Sequence, residues 1–230
     1  MASPPSPAHG SVGMPHTPVN RPAPFVHVWR LFEAVNLEDY NASVWVKNLP
    51  GGISHATLLN SVRDCGKVFA IYINPPRDGY VTVSGTIIFF DVAGARNLLQ
   101  RSREGRFVVE GYVAQVGHNR IRTPAQPPSS ASRVLLFEGP SHIVNPQSLS
   151  ALFNCFGILW QDEAVIVWSR DGTFTQLEWR FASYFRQAQA VWDCMDQMFR
   201  DPQVPRGPWT EITVRFGADP CDISLPSRRY

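Results

Sequence analysis

Apolar and polar positions follow the same order in two stretches of this chain. Each stretch opens on an apolar run that ends at a proline, residues 44–50 in the first and residues 134–140 in the second. A short apolar run bounded by a turn residue is typical of a strand that is buried or half-buried. The sequence therefore predicts two similar units in succession, each beginning with a strand.

A helix with matching ends is predicted after each of these strands. The helix of the first unit covers residues 56–65, and that of the second covers residues 148–156. A side chain that can cap a helix N-terminus precedes both helices, and a glycine that can end a helix follows both. The cap and stop residues are Ser54 and Gly66 in the first unit and Asn145, Pro146 and Gly157 in the second.

Each unit continues with two strands, a second helix and a last strand. An Arg-Asp-Gly turn, at residues 77–79 and again at residues 170–172, separates the two strands and indicates a hairpin. These elements are predicted at 68–73, 81–90, 93–103 and 112–116 in the first unit and at 164–168, 173–181, 184–199 and 211–216 in the second. The order β-α-β-β-α-β predicts an α+β protein with two ferredoxin-like domains, each a four-stranded antiparallel sheet with two helices on one face.

Composition marks the boundaries of these domains. Proline, serine and glycine are frequent before the first unit, and proline and serine recur between the two units. The apolar segment from Phe25 to Phe32 is expected to pack on the first domain as an extra strand or a short helix. The predicted segments are a disordered tail at 1–24, an apolar flank at 25–41, domain 1 at 42–122, a linker at 123–132, domain 2 at 133–219 and a tail at 220–230.

The first strand carries a motif. Residues 44–49 read Val-Trp-Val-Lys-Asn-Leu, which fits the aliphatic, aromatic, aliphatic, any, Asn, Leu pattern of strand one in RNA recognition motif (RRM) domains. The chain resembles a divergent tandem-RRM protein of the fungal kind. This resemblance implies that single-stranded RNA bases stack on aromatic side chains of strands one and three. By strand alternation Val44 and Val46 face the helices, whereas Trp45 and Lys47 face the open side of the sheet.

The third strand keeps only the inward half of the RRM pattern. Its inward residues fit the pattern, and they are Gly85, Ile87 and Phe89. On the outward side Ser84 and Thr86 replace both stacking aromatics, and Thr82 replaces the basic residue. Because a stacked base contributes about 1–3 kcal/mol, these replacements are expected to weaken RNA binding. Tyr72, outward on the neighbouring edge strand, is expected to supply one aromatic ring in return.

The second domain departs further from the RRM pattern. Leu135 aligns with Trp45, and Glu138 aligns with Asn48. Phe137 is an aromatic residue that this strand could display, although a single exposed aromatic is as often a packing contact as a base-stacking residue. Strict alternation along the third strand places Leu177, Trp179 and Phe181 inward and Gln176, Glu178 and Arg180 outward, which makes a poor stacking platform.

Charge separates the two domains, although the whole chain carries only +2. Residues 42–122 hold ten lysines and arginines against five acids, whereas residues 133–222 hold seven arginines against eleven acids. Phosphate binding therefore favours the first domain. The basic run from Asn119 to Arg122 resembles the exit that closes over RNA in RRM domains, and a solvated linker arm explains it equally well. The acidic second domain could bind a protein partner or dock against the basic first domain.

The sequence lacks the motifs of an enzyme or a metal protein. No phosphate loop, zinc-peptidase helix or nucleophile elbow is present, and the histidines and cysteines show no metal-ligand spacing. We therefore expect no catalytic activity, no cofactor and no small-molecule substrate. The four cysteines are predicted to be reduced thiols in the cores. With no leader and no apolar run of about 18 residues, an intracellular protein without membrane contact is predicted.

Together these features predict an RNA-binding protein with two degenerate RRM folds. Domain 1 is expected to contact single-stranded RNA, and domain 2 to be structural or to bind a protein. The alternative is a protein-interaction scaffold whose RRM folds have lost RNA binding. The predicted RNA-contact residues are Trp45, Lys47, Asn48, Tyr72, Ser84, Thr86, Arg120 and Arg122.

Overall fold

A computed structural model of the chain describes residues 40–76, 81–158, 165–169, 171–201 and 207–223. The predicted N-terminal tail, nearly all of the apolar flank, the first Arg-Asp-Gly turn, the arginine of the second and the end of the C-terminal tail lie outside these ranges. The described residues form two four-stranded sheets and a short two-stranded hairpin. None of the helices in these ranges combines the length and the apolar character needed to span a membrane.

The first domain is built on an antiparallel sheet whose strand order is β6-β1-β3-β2. Valine, isoleucine and phenylalanine alternate with polar residues along these strands, which gives the sheet one buried face and one open face. The strands of this domain are β1 (Ser43–Leu49), β2 (Val68–Asn74), β3 (Val83–Phe89), β4 (Val108–Val109), β5 (Tyr112–Val113) and β6 (Gln115–His118).

Two helices pack on the buried face of this sheet, α1 (His55–Ser61) and α2 (Val92–Arg103). The Ser54 side chain accepts a hydrogen bond from the Thr57 amide at 3.0 Å, so the predicted N-cap is confirmed. The prediction that this helix reaches Cys65 is wrong. The helix ends at Ser61, because the chain tightens there into turns in which Val62 and Cys65 bond to carbonyls three residues back.

The last strand of the first domain is not the single strand predicted at residues 112–116. Instead β4 and β5 form a hairpin, and the strand that joins the sheet begins at Gln115. Glu110 and Gly111 at the hairpin turn have φ of 47° and 83°, the two positive values that a type I′ turn requires. Ala114 lies between the hairpin and β6. It is buried, and its amide donates to the Phe107 carbonyl at 3.0 Å.

The second domain repeats the architecture, with strand order β10-β7-β9-β8. In both sheets the last strand lies beside the first, then the third, then the second, so the predicted ferredoxin-like fold class is confirmed. The elements of this domain are β7 (Val134–Pro140), α3 (Pro146–Cys155), β8 (Val165–Ser169), β9 (Phe174–Arg180), α4 (Gln189–Arg200) and β10 (Thr213–Phe216).

Two elements of this domain differ from their predicted bounds. The helix predicted from residue 184 begins as a π-helical turn over Tyr184–Ala188 before α4. Gln187 accepts a hydrogen bond from the Ser183 amide at 2.8 Å, while the Ser183 hydroxyl caps Arg186, and these bonds hold the wider turn. The last strand starts at Thr213 rather than residue 211, because Gly207–Glu211 forms a 3₁₀ turn.

The alignment of Leu135 with Trp45 is wrong by one residue. Leu135 and Phe137 are fully buried, so of the two alternatives for Phe137 the structure shows the packing contact. The outward residue is Leu136, which lies opposite Glu178 as Trp45 lies opposite Thr86. Because residues 134–137 are all apolar, alternation cannot be read from the sequence of this strand. The predicted inward and outward positions of β9 are confirmed.

Each domain has its own apolar core, and the first core also takes residues from the second half of the chain. Ala182 and Cys221 are buried among the side chains of the first domain. The predicted burial of the cysteines is confirmed for Cys65 and Cys221, whereas Cys155 is exposed at the end of α3 and Cys194 is half-buried on α4. All four thiols are free.

A buried ion pair within the second domain lies at its junction with the first domain. The guanidinium of Arg133 contacts both carboxylate oxygens of Asp219, at 3.2 and 3.0 Å, and donates to the Phe181 carbonyl at 2.8 Å. The same carboxylate accepts the Val68 amide of the first domain at 2.8 Å and the Cys221 amide at 3.0 Å. Asp219 therefore ties the start of β2 to the second domain.

Backbone and aromatic contacts extend this junction along the edge strand β2. The Ile71 amide donates to the Ala182 carbonyl at 3.1 Å, and Ala70 forms an antiparallel bridge with Ser183. The Tyr184 ring lies 5.5 Å from that of Phe69 and 5.3 Å from that of Phe90, between ring centroids. The β2 edge of the first sheet is therefore covered in its first half by the second domain.

The linker between the domains follows the end of the first sheet. Thr123 accepts a hydrogen bond from the Ala42 amide at 2.8 Å, and the Gln126 amide donates to the Phe90 carbonyl at 2.7 Å. Farther along, the Lys67 ammonium donates to the Ser129 carbonyl at 3.2 Å. These bonds hold the proline-rich segment against the first domain and fix its path to β7.

Candidate nucleic-acid interface

Three predicted contact residues lie in one row across the open face of the first sheet. In the strand register, Thr86 of β3 lies directly opposite Trp45 of β1 on one side and Tyr72 of β2 on the other. Strands are spaced about 4.8 Å apart, so the two aromatic residues are separated by about 10 Å with a small side chain between them. Trp45 is half-buried and Tyr72 is 37% exposed. We call this row, in which the small Thr86 lies between two aromatic residues, the aromatic trough.

A second, polar row runs beside the first. Lys47 is exposed on β1 opposite Gln115, and Ser84 of β3 lies opposite Asn74 of β2. The Asn74 side-chain nitrogen is buried and has no hydrogen-bond partner among the described residues. Asn74 is not among the predicted contact residues, although its position two residues after the outward Tyr72 places it on the same face. The open face thus offers an ammonium, a hydroxyl and an amide next to the aromatic trough.

Asn48 has a different environment from the other predicted contact residues. Its φ of 59° is left-handed, a conformation that asparagine tolerates better than most residues. Its side-chain amide donates a hydrogen bond to the Val113 carbonyl at 2.9 Å. The described contact of Asn48 is therefore with the β4–β5 hairpin, and it positions that hairpin beside the end of β1.

The hairpin presents apolar side chains to solvent next to this site. Val108 and Val113 pair across it and are about half exposed, and Tyr112 is 43% exposed. The sequence pattern predicts one continuous strand at residues 112–116, so it does not predict that these side chains are exposed on a hairpin. They extend the apolar part of the interface beyond Asn48.

Arg120 and Arg122 lie at the other end of β1. They are exposed on the segment that follows β6, and Asn119 beside them donates to the Ser43 hydroxyl at 3.0 Å. Ser43 precedes Trp45 by two residues, which is about 7 Å along a strand. The segment continues along the end of the sheet, where Thr123 bonds to Asn41 and Ala42, so both arginines lie at that border of the sheet.

The basic charge of the first domain is spread over several surfaces. Arg101 donates to the Ser61 and Arg63 carbonyls on the helical side, and Arg106 pairs with Glu104. Among the residues that the structure describes, Lys47 is the basic side chain on the strands of the open face. Local positive charge at the trough therefore comes from Lys47 and from the arginines at its border.

The open face of the second domain carries charges that are paired with one another. Glu138 accepts hydrogen bonds from Gln176 at 2.6 Å and from Arg215 at 3.0 Å, and these bonds lower the pKa of its carboxyl group. Glu178 pairs with Arg180 on the same face. Charges that are satisfied within the domain offer less attraction to phosphate or to a charged partner.

Two aromatic residues on this second face were not predicted. Trp168 of β8 lies opposite the outward Gln176, and Phe174 is 50% exposed at the start of β9, on the same face by alternation. Both lie at the end of the sheet that is farther from the buried Arg133. Their outward direction follows from their register with β9, whose alternation is clear in the sequence. Pairing β8 with β9 in the sequence would therefore have predicted both residues.

Within the described ranges, no group of three or more histidine, cysteine, aspartate or glutamate side chains is arranged to hold a metal ion. Burial raises the pKa of the Cys65, Cys194 and Cys221 thiols, which favours their protonated form at neutral pH.

Comparison with known proteins finds similarity at the level of structure. No family model matches the sequence, and no curated protein matches it. The first two RRM domains of the yeast poly(U)-binding protein Pub1 align at 16% identity with a TM-score of 0.31, covering 76% of this chain and 99% of that chain. RRM domains 1 and 2 of Prp24 from S. cerevisiae align at 12% identity and a TM-score of 0.31, covering 77% and 96%.

A structure titled as an SXL-lethal protein/RNA complex aligns at 15% identity with a TM-score of 0.30, covering 77% of this chain and 99% of that chain. The strand order of the chain's own two sheets shows two ferredoxin-like folds in tandem.

Proposed function

We propose that this chain is an RNA-binding protein whose first domain contacts single-stranded RNA through the open face of its sheet. The observation that carries this proposal is the row of Trp45, Thr86 and Tyr72. Two aromatic rings on either side of a small residue provide π faces on which bases stack, and stacking contributes about 1–3 kcal/mol per base. In this arrangement the edge strand supplies the ring that the third strand lacks.

The polar and basic residues around the trough have separate roles in this proposal. Lys47, Arg120 and Arg122 attract the phosphates, and this attraction weakens with salt. Ser84 and Thr86 offer hydroxyl groups to base edges. Asn48 contributes indirectly, by holding the β4–β5 hairpin beside the trough. We propose RNA rather than DNA as the ligand because RRM domains, which the chain resembles, usually bind RNA.

The second domain is structural in this proposal. Its buried contacts through Asp219 and Ala182 fix the β2 strand that carries Tyr72. The alternative, a protein-interaction scaffold, is favoured by a specific observation. Both third-strand stacking positions of the first domain are occupied by non-aromatic residues, Ser84 and Thr86.

The test is fluorescence anisotropy of the full chain with a pool of mixed-sequence single-stranded RNA at several salt concentrations. The full chain is required because the first core includes Ala182 and Cys221. We expect micromolar binding that weakens with salt. Trp45→Ala should lower the affinity at least fivefold, which corresponds to the loss of about 1 kcal/mol of stacking.

Leu136→Ala is the matched control, because Leu136 occupies the position of Trp45 in the second domain. Its affinity for the pool should stay within twofold of the wild type. No binding at low salt would contradict the proposal and favour the scaffold. Equal losses in the two variants would contradict the assignment of the RNA to the first sheet.

A further inference from the structure

A groove runs along the second domain between helix α4 and the edge strand β10. Its volume is about 280 Å³, and its walls belong to these two elements and to the turn that precedes β10. On the helix side Trp192, Asp196 and Phe199 are spaced at i, i+4 and i+7, so they form one stripe. On the strand side lie Ile212 and Val214. The groove is therefore apolar, with one carboxylate in its wall.

The groove wall is fixed in place by aromatic packing. The Trp192 ring stacks on Phe216 of β10 with centroids 4.7 Å apart, and Phe216 in turn contacts Tyr184 at the domain junction. Ile212 below it is buried. A groove held open by packed side chains requires little reorganisation when a ligand enters.

Strand β10, which lines the groove, has one backbone edge that is not paired with β7. In the described sheet β10 is an edge strand that pairs with β7. The Gly217 amide donates to the directly opposite Val134 at 2.9 Å, so Gly217 belongs to a hydrogen-bonded pair of the ladder. Because such pairs alternate along an antiparallel ladder, the backbone groups of Val214 and Phe216 point away from β7. These groups can accept another strand.

The charge near the groove selects its occupant. Asp196 lines it and keeps a side-chain exposure of 37% while bonded to Arg200 through one oxygen at 2.8 Å. The second domain as a whole has four more acids than arginines, so the groove lies on an acidic domain. A basic side chain is therefore attracted to this end of the groove, and an acidic one is repelled.

We propose that this groove binds an extended, basic and apolar peptide segment of a partner protein by adding it to β10 as a further strand. The segment's backbone bonds to Val214 and Phe216. One large apolar side chain enters between Trp192, Phe199 and Val214, and a lysine or arginine reaches Asp196. Strand addition beside a helix is an established mode of peptide recognition, in which backbone bonds give affinity and the side-chain pocket gives specificity. The surface shares no residue with the proposed RNA face, so either can fail without the other.

The probe is a phage library of random twelve-residue peptides selected on the full chain, followed by anisotropy with the enriched peptides. We expect enriched sequences to combine an aromatic or long aliphatic residue with a lysine or arginine. Val214→Pro removes the outward amide, and proline is tolerated at such an edge position. Val214→Pro and Asp196→Lys should each raise the Kd for these peptides at least tenfold.

Asp193→Lys is the matched control, because it makes the same charge reversal on the same helix outside the groove lining. Its Kd should stay within twofold of the wild type, and the thermal unfolding midpoints of the variants show that they remain folded. Peptides that bind Val214→Pro and Asp196→Lys as tightly as the wild type would overturn the proposal, as would a selection without enrichment. A dimer of the chain that Val214→Pro abolishes would also overturn it, because a second copy would then fill the edge.

Discussion

At the scale of single residues, burial decides how the four cysteines react. Cys155 is exposed, Cys194 is half-buried, and Cys65 and Cys221 are buried. Burial is the first cause of the raised pKa of Cys65 and of Cys221, and the Asp219 charge raises that of Cys221 further. Because the thiolate is the reactive form, iodoacetamide at neutral pH should label Cys155 first and Cys194 more slowly. Cys65 and Cys221 should react only in denaturant, as peptide mass spectrometry will show.

Cys155→Ser is the control for this labelling order. The variant should lose the earliest adduct and keep the others unchanged. Rapid labelling of Cys221 in the native chain would contradict the structure, because its thiol lies 3.5 Å from the Leu59 carbonyl inside the domain junction.

The face on which a strand residue lies is predictable where polar and apolar residues alternate, whereas its hydrogen-bond partner is not. Alternation places Trp45, Tyr72, Ser84 and Thr86 correctly on the open face. The partner of Asn48 is Val113, 65 residues along the chain, and nothing in the local pattern indicates that contact. The family motif predicts a contact with RNA for this residue, whereas the structure shows a bond to a hairpin that the pattern does not predict.

At the scale of elements, close packing of α2 on β3 depends on Gly94. A Cβ atom at this position would lie 2.5 Å from Cδ1 of Phe89, which is fully buried. Gly94→Ala gains about 1 kcal/mol of helix propensity, but overpacking a core costs about 1–3 kcal/mol. We therefore expect the variant to lower the free energy of unfolding by about 1 kcal/mol, measured by urea denaturation.

Ala93→Gly on the same helix turn is the matched change in the opposite direction. Ala93 is exposed, so its replacement should cost only the propensity difference of about 1 kcal/mol. If Gly94→Ala were instead stabilising, the helix would have room to move away from Phe89.

Elements with strong caps are predictable, whereas the hairpin before β6 is not. Ser54 and Asn145 cap their helices as the sequence indicates, with bonds of 3.0 and 2.9 Å. The turn of the hairpin is Glu110-Gly111, and glutamate rarely adopts the left-handed conformation seen there. Since an Asn-Gly or Asp-Gly pair is the usual signal of this turn, the sequence favours one continuous strand.

At the scale of the whole molecule, the sequence leaves open how the two domains are joined. Arg133 and Asp219 are 86 residues apart and belong to segments that composition assigns to the start and the end of the second domain. Charge totals suggest attraction between the domains but cannot identify one buried pair. The structure shows that the junction depends on this pair, on backbone bonds to β2 and on three packed rings.

This junction predicts that the two domains unfold together. Removing one member of a buried ion pair leaves the other charge unpaired and costs about 3–5 kcal/mol. Arg133→Met and Asp219→Leu should therefore each be strongly destabilising in urea. Asp219→Leu should cost more, because the Val68 and Cys221 amides also lose their acceptor. Arg200→Met removes an exposed pair of the same type and should change the free energy of unfolding by less than about 1 kcal/mol.

In the wild type, circular dichroism and tryptophan fluorescence should report one coincident transition. Two separate transitions would mean that the bonds of Asp219 and Ala182 to β2 do not couple the domains, and Tyr72 would then not depend on the second domain for its position.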